Sequence, residues 1–202
     1  MTTTTVHLAV YDTLADWEIG YLTAALAGPP TRDPETIRLI TVGPTTAPIR
    51  TIGGLTVVPD MAIADLSPAD SSILVLPGAN LWFDGLADFA AAARTFVDAG
   101  VPVAAICGAV LGIAKAGLLD SHPHTGADPG FIASSGYAGA AFYRPQPSVS
   151  DGLVVTASPV GPVEFARDVL DLLDVCDPAK LDAWFRLYRH QDASAYYDLV
   201  DA

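Results

Sequence analysis

Of the two thiols in this chain, Cys107 stands where chemistry would need one. It lies in Ala104-Ala105-Ile106-Cys107-Gly108-Ala109-Val110-Leu111, where a β-type run ends at the cysteine and a helical pattern follows. A tight strand-to-helix elbow crowds the backbone, and the small residues Ala105, Gly108 and Ala109 suit such a turn. The helix would point its free N–H groups back at the side chain. These groups and the helix dipole favour a thiolate over a thiol, which would lower the cysteine pKa and make it nucleophilic or oxidisable. Read without chemistry, Cys107 is a small buried hydrophobe, as free cysteines commonly are. Cys176, between Val175 and Asp177 near a helix end, takes that second reading.

Other side chains lie within range of the elbow in sequence. His122 and His124, at i and i+2, would share one face of a strand, and either is a candidate general base if the loop folds back. With Asp120 they also resemble a ligand cluster, but no second Cys or His pair is near and Pro123 stiffens the segment, so the reading is no metal and no cofactor. Trp82 and Phe83, just past Pro77-Gly78, are candidates to line an apolar pocket beside Cys107, to close the core, or to meet a second subunit.

These residues must be positioned by elements, and β-type runs alternate with helical patterns in the way of a parallel sheet covered on both faces. The predicted strands are Val6–Tyr11, Ile37–Val42, Ile73–Leu76, Val103–Ile106 and Leu153–Ala157, with a hairpin of Ile49–Ile52 and Leu55–Val58 turning at Gly53-Gly54. Helices are expected from about Asp16 to Gly28, Leu86 to Ala99, after Cys107 to Gly117, Pro162 to Leu173, and from Pro178 through Trp184 and Tyr188. In an open α/β sheet ligands bind at the carboxyl ends of the strands, which singles out Pro77-Gly78 and Ile106-Cys107.

The 202 residues suit one domain over 1–202, with no repeat or linker. Ten Lys and Arg against 23 Asp and Glu give a net charge of -13, and the few basic residues are scattered. Nucleic acid and anionic membrane are therefore not expected partners. A hydrophobic fraction of 51% with 16% charged residues excludes disorder and supplies a large core. Val101 to Leu119 carries only Lys115 as a charge, yet Pro102, Gly108, Gly112 and Gly117 divide it into strand, turn and helix rather than a membrane span. The amino-terminal MTTTTVHLAVYDT has no basic n-region or long apolar run, and the two cysteines suggest no disulfide framework, so a cytoplasmic location is expected.

Several spaced motifs together resemble the DJ-1/PfpI (ThiJ) family. They are Ala105-Ile106-Cys107-Gly108-Ala109, Ala116-Gly117-Leu118-Leu119-Asp120 and His124-Thr125, with Leu76-Pro77-Gly78-Ala79 and Trp82 upstream. Asp16-Trp17-Glu18, Asp151-Gly152-Leu153, Thr156-Ala157-Ser158 and Pro162-Val163-Glu164-Phe165-Ala166 extend the likeness over nearly the whole chain. The late block with the Trp184 helix is similar to the YdeA-like, glutamine amidotransferase-like bacterial branch. The resemblance implies an α/β three-layer sandwich, mostly parallel, doubly wound and flavodoxin-like, with a nucleophile elbow at Cys107. It also implies that Glu18 stays protonated and hydrogen-bonds the thiolate, and that N–H groups of Gly78 or Ala79 and of Gly108 form an oxyanion hole. A solvated first-turn carboxylate is the reading of Glu18 without the resemblance. A homodimer is implied as well, and the apolar surface around Trp184 and Tyr188 is compatible with its contact.

Departures narrow the chemistry. PfpI-type proteases carry a histidine directly after the nucleophile, and the isonitrile-hydrating branch a threonine; here the residue is Gly108. The family's histidine about twenty residues past the cysteine would fall on Ala127, leaving His124 as the candidate proton carrier. The late His-x-Glu pair of glutamine amidotransferases is replaced by Pro162-Val163-Glu164. The expectation is a cysteine-dependent hydrolase or lyase acting on a small carbonyl or amide, glyoxalase-like or amidotransferase-like, with glyoxalase-like hydration of 2-oxoaldehydes as the named chemistry because it needs only a thiol and one acid/base. The alternative is a stress or redox-sensing protein in which Cys107 is reversibly oxidised.

Overall fold

The computed structural model describes residues 3–200. Its elements run β1 (Thr4–Ala9), α1 (Asp16–Leu26), β2 (Ile37–Gly43), β3 (Ile49–Arg50), β4 (Thr56–Val57), β5 (Met61–Ala62), β6 (Ile73–Leu76), α2 (Ala87–Asp98) and β7 (Val103–Ile106). There follow α3 (Ala109–Lys115), α4 (Pro129–Ala133), β8 (Ser148–Asp151), β9 (Val154–Ala157), α5 (Pro162–Leu172), α6 (Pro178–Arg189) and α7 (Ala195–Val200). Seven strands form one sheet in the order β5-β2-β1-β6-β7-β9-β8, parallel except for the antiparallel edge pair β8–β9.

Strands β6, β7 and β9 are buried at every position, as continuous apolar runs require when helices cover both faces. From β1 the chain crosses to β2 on one side, whereas β6 leads to β7 and then β9 on the other. Right-handed crossovers in opposite directions place α1 and α2 on opposite faces. Accordingly α1 packs on α5 and α5 on α6, while α2 packs on α3. The reversal of strand order lies between β1 and β6, so the carboxyl ends of β1, β6 and β7 open at the switch point where α/β sheets hold ligands.

The mostly parallel doubly wound architecture and its central strands agree with the sequence reading. Val101 to Leu119 resolves into β7, the elbow and the seven-residue α3, and among the described residues no helix is long and apolar enough to cross a membrane. Differences concentrate at edges. Strand β8 alternates Ser148, Val149, Ser150 and Asp151 with only Val149 turned inward, too weak an apolar signal to read. His122 and His124 do not lie in a named strand; His124 makes a single bridge to Tyr143. Trp184 is buried against Tyr21 and Tyr188 of its own chain, and of the two residues named for the contact surface Tyr188 is the exposed one.

Candidate active site

The site begins where β7 turns into α3. Cys107 adopts φ 60°, a left-handed conformation that costs a non-glycine residue on the order of 1 kcal/mol or more. Its N–H donates to the carbonyl of Ala157 at the end of β9 (2.9 Å), and its carbonyl accepts from Val110 in α3 (3.2 Å). Two elements therefore hold the strained residue from either side. Cys107 is only partly buried, whereas Cys176 is buried.

Glu18 reaches the elbow from α1. It falls on the stripe Glu18, Leu22, Ala25 and Leu26, spaced i, i+4, i+7, i+8, and is wholly buried with it. Its Oε2 accepts from the Gly78 N–H at 2.5 Å. Its Oε1 is buried and meets no donor with ordinary geometry. Gly78 completes the triangle: a Cβ there would lie 2.8 Å from Cys107 Cβ and 2.8 and 2.9 Å from the two carboxyl oxygens of Glu18. Only glycine fits between the thiol and the acid.

Burial raises the Glu18 pKa to about 7, against the pull of the Gly78 N–H and the Cys107 thiol. Burial, then repulsion and hydrogen bonding from a charged Glu18, push the Cys107 thiol up to about 12, and the Gly108 N–H opposes them. The helix start thus acts in the expected direction, but the lowered cysteine pKa that it implied is not obtained beside a charged Glu18. The two groups share protons as a pair. Between about pH 7 and 12 the pair carries one negative charge, and a proton on Glu18 removes the repulsion that disfavours a thiolate.

Behind Gly78 lie two residues whose part the sequence did not reveal. The Tyr11 hydroxyl, just past β1, donates to the Pro77 carbonyl, and Trp82 Nε1 lies 2.9 Å from that oxygen and 3.2 Å from the Tyr11 hydroxyl. The indole rests on α3 so closely that a Cβ on Gly112 would come within 2.1 Å of Trp82 Cζ3. Trp82 therefore closes the core, while Phe83 is exposed and packs on Phe131. A Cβ on Gly108 would meet the Ala79 carbonyl at 3.2 Å and Trp82 Cδ1 at 3.3 Å, so a histidine after the cysteine would have to displace them. Tyr11 ends an apolar strand and reads as core; its place at a strand's carboxyl end was the one available signal. Thr13, at φ 64°, accepts from the Asn80 N–H and donates its own N–H to Arg50, joining the loops around the site.

The structure thus brings Cys107, Glu18, Gly78 and Gly108 together. The Gly78 N–H serves Glu18, which leaves Ala79 and Gly108 as the remaining amides of the expected oxyanion hole. His124 is not brought to the thiol. Its Nδ1 lies 2.8 Å from the His122 carbonyl, its Nε2 2.9 Å from the Tyr137 hydroxyl, and burial lowers its pKa. His122 pairs instead with Asp151 at 2.7 Å, and Asp120 accepts from the Ala138 N–H, so these three side chains diverge.

Comparison with known proteins agrees with the geometry. The model of the DJ-1/PfpI family matches residues 4–172. A Bacillus subtilis protein named uncharacterized protease YoaZ is 35% identical over all of this chain and 98% of its own, and one named uncharacterized protease YdeA is 30% identical over 90% and 89%. Among solved structures, a ThiJ/PfpI family protein of Bacillus anthracis superposes with a TM-score of 0.91 at 33% identity, covering 98% of this chain and 96% of that one. A DJ-1 superfamily protein of Agrobacterium tumefaciens gives 0.85 at 33% identity, covering 94% and 99%.

Proposed function

We propose, for a chain that belongs to the DJ-1/PfpI family, a cysteine-dependent hydrolase or lyase acting on small carbonyl compounds, with hydration of 2-oxoaldehydes as its reaction. The observation that carries this reading is the fully buried Glu18, with a pKa of about 7, set against the strained Cys107 across Gly78. One carboxyl group poised near neutrality can both give and take a proton, which this reaction requires.

The thiolate adds to the aldehyde carbon, forming a C–S bond, and the π pair becomes an alkoxide that takes the proton of Glu18. The Ala79 and Gly108 N–H groups are the donors for that developing charge. The carboxylate then removes the hydrogen of the same carbon as a proton, leaving an enediolate. The proton of the neighbouring hydroxyl passes to the former ketone oxygen, and Glu18 returns its proton to the former ketone carbon as the C–O of the former aldehyde carbon becomes the carbonyl of a thioester. Water cleaves the C–S bond, releasing a 2-hydroxy acid and the thiol. The aldehyde carbon is oxidised and the ketone carbon reduced, so the net change is addition of one water. Methylglyoxal turnover should fall at least roughly 1,000-fold in Cys107→Ala. Turnover retained in that variant overturns the reading.

The partial accessibility of Cys107 favours a second reading, oxidation by a peroxide. There the thiolate attacks one peroxide oxygen, the O–O bond breaks, and sulfenate and water form. Intact mass after mild peroxide should show oxygen on Cys107 and not on Cys176, whose thiol burial pushes up to about 11. Peroxide-inert Cys107 removes this reading. The protein is proposed to act as a homodimer through Trp17, Ile52 and Leu55, which are 52%, 49% and 63% exposed and line one open apolar cleft.

A further inference from the structure

We propose that Tyr11 and Trp82 are positioning residues that act through the Pro77–Gly78 peptide to set the ionisation of the Glu18–Cys107 pair. The inference rests on the reading of that pair as the reacting site and adds how it is regulated. One amide joins the two sides. Its carbonyl oxygen receives the Tyr11 hydroxyl and lies 2.9 Å from Trp82 Nε1, and its N–H donates to Glu18 Oε2 at 2.5 Å. Donors on a carbonyl draw charge from the amide nitrogen and polarise the N–H, so hydrogen bonds in such a chain strengthen one another. Two donors behind the peptide therefore make its N–H a better partner for a carboxylate in front of it. Among the described hydrogen bonds neither Tyr11 nor Trp82 donates to Glu18 or Cys107. Their influence passes through the peptide.

The arrangement is built as a unit. Tyr11, wholly buried, keeps its proton far above neutrality because burial disfavours the phenolate, so it remains a donor throughout the range in which the pair titrates. Trp82, 3% exposed, is seated where Gly112 leaves room for its ring, and the Tyr11 and Trp82 rings meet edge to face at 5.8 Å. Glu18 and Cys107 act on each other, and both act on Tyr11 behind the peptide. From α1 itself Asp16 is held by the Gly53 N–H, and Asp12 accepts from the Arg50 N–H. From α5, Glu164 is paired with Arg189 and Arg167 with Asp168.

The sign of the effect separates coupling from mere support. Burial holds both the acid and the thiol up, so a residue that only kept water out would, when shortened, let the pair lose its first proton at lower pH. Loss of a donor behind Gly78 does the opposite: the carboxylate is less well stabilised and the first proton leaves at higher pH. Carbon-13 NMR of the Glu18 carboxyl and thiolate absorbance of the full chain carrying Cys176→Ser, both followed against pH in Tyr11→Phe and Trp82→Phe, read the two members of the pair without substrate. The anionic fraction of the pair at pH 7 should fall roughly threefold in Tyr11→Phe, with a smaller fall in Trp82→Phe. In a Glu18→Gln background Tyr11→Phe should leave the titration unmoved. An unchanged or downward midpoint in Tyr11→Phe, or an equal upward shift without Glu18, overturns the proposal. Wild-type protein that titrates in this way yet does not turn over methylglyoxal overturns the reaction assigned above and leaves the coupling standing.

Discussion

At the scale of single residues, Glu18 holds its proton to a higher pH than a solvated glutamate because its helix face is buried and only Oε2 is compensated. That has a consequence for stability. Burial lifts its pKa from 4.5 to about 7, so between these values the folded chain retains a proton that the unfolded chain has lost. Stability therefore falls as pH rises from about 4.5 to about 7 and stays lower above, by up to roughly 3 kcal/mol from this group. Glu18→Gln removes the effect while keeping an acceptor for Gly78. Denaturant unfolding should show the variant level with wild type at pH 4 and more stable by about 1–3 kcal/mol at pH 8. A difference that does not change with pH contradicts a raised carboxyl. The position of Glu18 was legible only through the family likeness, since without it a first-turn carboxylate reads as solvated and the stripe of Leu22, Ala25 and Leu26 that buries it emerged from the fold. His124 shows the reverse. Its place in the sequence suggested a proton carrier, yet Tyr137, thirteen residues on and in no periodic pattern, takes its Nε2.

At the scale of elements, the site depends on how closely α3 approaches the loop after β6. Gly112 is the clearest case, since an added methyl would lie 2.1 Å from Trp82 Cζ3 and the ring is fixed by its hydrogen bond to Pro77. Gly112→Ala should cost about 1–3 kcal/mol in denaturant unfolding, although alanine is the better helix former. It should also displace Trp82 and so disturb the Pro77–Gly78 turn. A variant as stable as wild type would mean that α3 and Trp82 are not in contact as described. Strands β6 and β7 were legible to the residue because their uninterrupted apolar runs stop at Pro77-Gly78 and at Cys107-Gly108. The contact between α3 and Trp82 was not, because a glycine in a helical pattern does not reveal what lies against it.

At the scale of the whole molecule, strand order decides where chemistry is possible. The ends of β1, β6 and β7 meet at the reversal in the sheet, and each supplies a part: Tyr11, Gly78 and Cys107. The alternation of elements made this layout legible, while the exposed apolar residues contributed by α1 and the β3–β4 hairpin emerged only from the fold. Light scattering should give a mass twice the 21.0 kDa of one chain, and Leu55→Asp should halve it. A wild-type monomer at micromolar concentration contradicts the proposed dimer. The central claim, that Glu18 and Cys107 share a proton and thereby make a reactive thiol, is tested most directly by the rate of Cys107 alkylation by iodoacetamide against pH, in wild type and Glu18→Gln. The wild-type rate should rise through a midpoint near 7, where the pair loses its first proton, and that inflection should be absent from the variant. An inflection near 7 that persists without Glu18, or a wild-type profile that rises only above pH 9, contradicts the account.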